Sequence, residues 1–84
     1  MRLDKWLWAV RHYKSRSLAA EACAAGHVHV NGQPAKPVRT VHPGDIIDAR
    51  TGPVTRTVRV IALVHQRVGA KLVAQYLADL TPPD

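Results

Sequence analysis

From Leu3 to about His12 the apolar residues stand at Leu3, Trp6, Leu7 and Val10, three and four apart, and draw one stripe along a helix. Lys5, Trp8 and His12 project from the other side, flanked by Arg11. Residues 12–15 break the pattern. Ser15 can then cap a second helix, since its hydroxyl accepts from a free amide of the first turn. That helix runs to about Ala25, and Gly26 supplies the left-handed residue that closes it. Leu18, Ala22 and Ala25 form its expected apolar line, small enough for the first helix to pack closely.

The period then changes from helical to two. His27-Val28-His29-Val30 alternates as a strand, and Asn31-Gly32 is a strong hairpin signal. Pro34 and Pro37 confine residues 33–37 to an edge or an irregular path. Val38 to Val41 is expected to pair briefly. His42-Pro43-Gly44-Asp45 is a tight turn into the strand Ile46–Arg50, and Thr51-Gly52-Pro53 is a loop. Arg56 to Val64 alternates again, with Val58 and Val60 inward. Gly69 to Leu80 returns to helical spacing through Leu72, Val73, Tyr76 and Leu80, and residues 81–84 read as a frayed end. The pattern predicts an α+β domain: two N-terminal helices packed on a small antiparallel sheet, with a short C-terminal helix at about 69–80. At 84 residues, one domain spanning 1–84 is expected, with its core at about 2–65.

Charge sharpens this picture. Lys and Arg number 12 against 6 acidic residues, for a net charge of +6. Arg2, Lys5, Arg11, Lys14, Arg16, Lys36 and Arg39 stand against Asp4 and Glu21 in residues 1–40, a net of +5. Arg50, Arg56, Arg59, Arg67 and Lys71 stand against Asp45, Asp48, Asp79 and Asp84 in the rest, a net of +1. An excess gathered at one end is the footprint of a phosphate-binding surface. Arg16 adds the helix N-terminus, whose free amides favour an anion, and the arginine fork matches two phosphate oxygens. The competing reading is a solvated face, or Asp4 pairing with one of the arginines. Trp8, between Lys5 and Arg11, either stacks on an unpaired base or is covered by the rest of the domain.

Other chemistry finds little support. His27 and His29 share a strand face, but with a single cysteine, Cys23, and no paired ligand spacing, no metal and no cofactor are expected. The histidines read as hydrogen-bond donors to RNA, or as exposed neighbours of the basic face. Asp45 sits in a turn where its carboxylate bonds local amides. No phosphate-loop motif is present, and Cys23 reads as a small buried side chain in an alanine-rich helix. The expectation is a protein that is not an enzyme. No run approaches a membrane span and Met1 leads straight into a charged helix, so a cytoplasmic location is expected.

Arg2-Leu3-Asp4, Ser15-Arg16, Gly26-His27-Val28-His29-Val30-Asn31-Gly32 and Pro43-Gly44-Asp45, in this order over about residues 2–50, together resemble the S4 RNA-binding domain. Asp4-Lys5-Trp6-Leu7-Trp8-Ala9-Val10-Arg11 followed by Tyr13-Lys14-Ser15-Arg16 is similar to the bacterial heat shock protein 15 family. The length is closer to the P-site factors of ribosome-associated quality control. The resemblance implies the S4-like fold and a non-enzymatic partner of the large ribosomal subunit, its rRNA and tRNA or peptidyl-tRNA, in rescue or quality control of stalled nascent chains. It also implies that Arg2, Lys5, Arg11, Lys14 and Arg16 meet RNA phosphates, with His27, Asn31 and Lys36 along the hairpin edge of the same surface; Trp8 joins this face if it stacks on a base, and a monomer is expected. The alternative is an RNA-binding subunit of a separate RNA-modifying enzyme.

Overall fold

The computed structural model describes residues 1–82; Pro83 and Asp84, the last of the predicted frayed end, lie outside the described residues. Helix α1 spans Leu3–Ala9 and α2 spans Arg16–Ala24. Five strands follow: β1 Val28–Val30, β2 Gln33–Pro34, β3 Ile46–Thr51, β4 Val54–Val60 and β5 Leu77–Asp79. They form one antiparallel sheet in the order β2-β1-β3-β4-β5. Pro34 sits on the edge strand, where its missing amide costs no ladder bond.

Both helices end in the same way. Val10 caps α1, Arg11 takes a left-handed φ of 64°, Arg11 N donates to Trp8 O, and His12 N donates to Leu7 O. Ala25 caps α2, Gly26 has φ 81°, Gly26 N donates to Cys23 O, and His27 N donates to Ala22 O. These are two Schellman closures. Glycine adopts the second without strain, whereas arginine adopts the first against the clash of its own Cβ. The first helix therefore stops about three residues earlier than its apolar spacing predicts. Ser15 caps α2 as expected, its hydroxyl accepting from Leu18 N at 3.1 Å.

Leu3, Trp6, Leu7 and Val10 are buried, and Trp6 donates through Nε1 to Ala62 O at 3.1 Å. On α2 the buried line is Ala19, Ala22 and Cys23, not Leu18, Ala22 and Ala25. Close packing of two helices selects the smaller side chains, and the one-residue change of phase leaves Leu18 45% exposed. Val28, Val30, Ile47, Ala49, Val58 and Val60 close the core from the sheet. Tight turns set the register. Asn31 and Gly32 both have positive φ, as a type I′ hairpin demands, and Gly44 at 93° follows Pro43 in the turn before β3.

The C-terminal segment departs from its helical spacing. Ala70–Gln75 forms a 3-10 helix with no side-chain cap and no buried residue, and Leu77–Asp79 joins the sheet as β5. The open edge of β4 offers ladder bonds that one short uncapped helix cannot match. The ladder stops at Val60 because Ile61 N and Ala62 N both turn to Tyr76 O, at 2.8 and 3.2 Å. The predicted strand 56–64 is thereby shifted to 54–60. Val38–Val41 forms no strand; Thr40 makes a single antiparallel bridge with Arg2. Among the described residues no helix is long and apolar enough to cross a membrane.

Candidate nucleic-acid interface

Asp4 organises one end of the basic surface. Its carboxylate is almost fully buried at the start of α1 and accepts from Lys5 N at 2.8 Å. Arg2 meets it with both prongs, Nε to Oδ1 at 3.1 Å and Nη2 to Oδ2 at 3.0 Å. Arg16, from the first turn of α2, reaches Oδ1 at 3.5 Å. One buried anion thus holds two guanidinium groups side by side, each about half exposed, 50% and 47%. They line a shallow depression with Ser17 and Ala20. Two arginines against one carboxylate leave a net positive charge, and the outer faces of both forks remain open to solvent. The backbone of Pro37 and Arg39 accepts from Asp4 N and Leu3 N, which ties the Lys36–Val41 loop to the same helix end. Lys36 is exposed and Lys5 half-buried.

The remaining basic residues gather elsewhere. Arg11, Lys14 and His27 line a second, larger cleft on the other flank of α2, together with Arg50 and Arg56. The expectation of one convergent patch is therefore corrected to two: Arg2 with Arg16, and Arg11 with Lys14 and His27. Lys14 and Arg16 stand on either side of Ser15, whose extended backbone turns the chain from one to the other.

Two of the expected contact residues also make structural bonds. Asn31 donates through Nδ2 to Asp45 Oδ1 at 3.1 Å and accepts from Ile46 N at 2.9 Å, so its amide locks the hairpin to the Pro43-Gly44 turn. Trp8 is half-buried against the core and lies under the Arg67 guanidinium, 5.8 Å from the ring centroid. Arg67 also donates to Trp8 O and Tyr13 O, both at 3.3 Å, so this cation caps the carbonyl end of α1. Sequence reasoning passed over Arg67 because its partners lie more than fifty positions away. Arg56 had a visible signal: it stands two residues before Val58 on the alternating face that turns inward.

His12 is half-buried at the wall of the second cleft, and desolvation, with Arg56 nearby, lowers its pKa below 6.5; the Ala49 backbone and Asp79 oppose this. Among the described residues nothing pairs with its Nε2. Tyr13 donates to Arg50 O at 2.7 Å, and burial pushes its hydroxyl up to about 12. Burial likewise pushes the Cys23 thiol up to about 11, which keeps it protonated and inert. Among the described residues no three His, Cys, Asp or Glu side chains come together.

The S4 domain family model matches residues 1–47. A heat shock protein 15 homolog of Aeromonas salmonicida is 48% identical over 81 residues, 96% of this chain and 61% of the relative. The RQC P-site tRNA stabilizing factor of Bacillus subtilis is 43% identical over 60 residues, 71% of this chain and 70% of that protein. Among solved structures, the trimeric structure of Vibrio cholerae heat shock protein 15 superposes with a TM-score of 0.90 at 44% identity, covering 94% of this chain and 80% of that one. The chain spans between half and about three fifths of the length of the heat shock protein 15 relatives it matches.

Proposed function

The chain belongs to the S4 domain family, and we propose from that premise that it binds structured RNA of the large ribosomal subunit and its tRNA. In this reading it acts without catalysis, as a cationic clamp on stalled nascent-chain complexes. The observation that carries the proposal is the Arg2–Asp4–Arg16 cluster. Two forks are pre-positioned by a buried carboxylate beside the Ser15-capped start of α2, so little side-chain entropy is lost on meeting phosphate. Lys5 and Lys36 extend that surface, and Arg11, Lys14 and His27 continue it around the helix end. Trp8 and Asn31 serve the fold. The names of the heat shock protein 15 and P-site tRNA stabilizing relatives support a ribosomal target. Recognition of this kind reads the shape and phosphates of RNA more than its bases.

Titration of labelled tRNA and of large-subunit RNA against salt tests the reading. Neutralising about five phosphates gives a slope of log affinity against log salt of roughly −3.5 to −4.5. A slope near zero would count against the surface. Arg16→Glu should lose far more affinity than Arg59→Glu, from the exposed face of β4; equal losses would mean that the wrong face was chosen. In gradient sedimentation of cell extract, the protein should follow free large subunits when translation is stalled.

A further inference from the structure

The second cleft has a composition that phosphate binding alone does not explain. It encloses about 910 Å³ between α2, the α1–α2 turn, the β3–β4 hairpin and the C-terminal segment. One wall is apolar: Leu18, left outside the core by the phase of α2, faces the cleft with Val73 and Leu77. The rim is cationic, with Arg11, Lys14, Arg50 and Arg56 against Glu21 and Asp79, a net of +2. Among the described residues, Arg56 alone of these cations pairs with one of those acids, loosely, at 4.0 Å from Asp79. An apolar wall beneath a positive rim suits a ligand with a flat, weakly polar body and an anionic edge, and the volume falls in the range of organic-ligand sites.

Two further observations indicate a bound partner. Arg11 keeps a left-handed backbone where glycine would be relaxed, and that strained residue places a cation at the cleft mouth. The His12 ring, half-buried, lines the cleft, and its buried Nε2 has no hydrogen-bond partner among the described residues. The source of the ligand follows from continuity. Lys14 on the cleft and Arg16 on the Asp4 cluster are two residues apart across the extended Ser15, at most about 7 Å along the chain, so a polyanion held at Arg2 and Arg16 can pass around the start of α2 into the cleft.

We propose that this cleft is a single-strand subsite, which takes one or two unpaired nucleotides of the RNA, with phosphates on the Arg11–Lys14 and Arg50–Arg56 rim and a base against Leu18, Val73 and Leu77. The subsite rests on the reading that the Arg2–Arg16 surface binds RNA. It adds to that reading a preference for a structured stem that continues into a free strand.

The test compares three labelled RNAs by fluorescence anisotropy: a blunt stem-loop, the same stem-loop with a four-adenosine overhang, and the same with an abasic overhang. The protein should bind the adenosine overhang about tenfold more tightly than the blunt stem, and the abasic overhang should lose most of that advantage. Leu18→Ser should erase the advantage while blunt-stem affinity stays unchanged. Arg50→Ala, at an exposed side chain, should reduce it as an independent check should the first variant fold poorly. Equal affinity for all three RNAs would overturn the subsite and leave the phosphate-binding reading intact. An advantage untouched by both variants would do the same. Failure to bind any of the three would overturn the RNA reading and the subsite together. Displacement of the overhang by an acidic Glu-Leu peptide, with that binding lost in Leu18→Ser, would assign the cleft to a protein ligand and overturn the subsite.

Discussion

In Arg11→Gly the cation leaves and the left-handed turn stays. A non-glycine residue in that conformation costs about 1–2 kcal/mol, and glycine returns about 0.5–1 kcal/mol of this through the greater freedom of the unfolded chain. The side chain gives little back to the fold, since its one hydrogen bond among the described residues, Nη1 to Val68 O, is long at 3.5 Å and partly exposed. The expected net gain is about 0.5–1 kcal/mol, which raises the melting temperature by roughly 2–8 °C in a domain of this size. Gly26→Ala is the mirror experiment at the equivalent closure of α2. Its new Cβ would meet nothing within 4 Å, so only the backbone conformation is charged for it, at about 1 kcal/mol of destabilisation. Thermal unfolding followed by circular dichroism measures both, and anisotropy with the overhang stem-loop measures what Arg11→Gly does to binding. A warmer transition with affinity weakened several-fold is the expected pair. A colder transition, or full affinity without the guanidinium, would refute the idea that Arg11 sustains strain for the sake of its charge.

The other tests address separate parts of the chain. Asp4→Asn keeps the shape but removes the negative charge and turns one of the two acceptor oxygens into an amide donor facing the arginines, and should cost about 2–3 kcal/mol by the loss of charged hydrogen bonds; a melting temperature within experimental error of the parent would show that Asp4 does not organise the cluster. Asn31→Ala breaks the bonds to Asp45 and Ile46 and should destabilise by about 1–2 kcal/mol with RNA affinity unchanged, so a specific loss of affinity would return Asn31 to the interface. For His12 the folded pKa is lowered, so the unfolded chain binds the proton first as pH falls below 6.5. Stability should be level above that value and decline below it, over the window from 6.5 down to the folded pKa. His12→Gln should flatten that decline in denaturant melts, and an unaltered decline would place its origin in another group.

How far the sequence could be read depended on how local each signal was. Ser15 and Gly26 bracket α2 through their own chemistry, and Asn31-Gly32 and Pro43-Gly44 fix their turns within four residues, so these features were legible without coordinates. Helix α1 carried no such punctuation. Its closure rests on an arginine, and apolar spacing that includes Val10 reads as more helix than exists. The C-terminal spacing of Leu72, Val73, Tyr76 and Leu80 misled for a different reason: whether Leu77–Asp79 becomes helix or strand is decided by the vacant edge of β4, which the segment itself does not encode. The division of the basic residues into two groups follows from the same limit. Asp4 draws Arg2 and Arg16 together across fourteen positions because it is buried where both can reach it, while the Schellman turn at Arg11 swings Arg11 and Lys14 to the opposite flank of α2. Leu18 joins that second group by a phase difference of a single residue: close packing against α1 favours Ala19, and the displaced leucine becomes the apolar wall of the cleft. A charge tally finds the cationic half of the chain; the geometry of two helix ends gives it two faces, one built on the Asp4 carboxylate and the other on the apolar wall of Leu18, Val73 and Leu77.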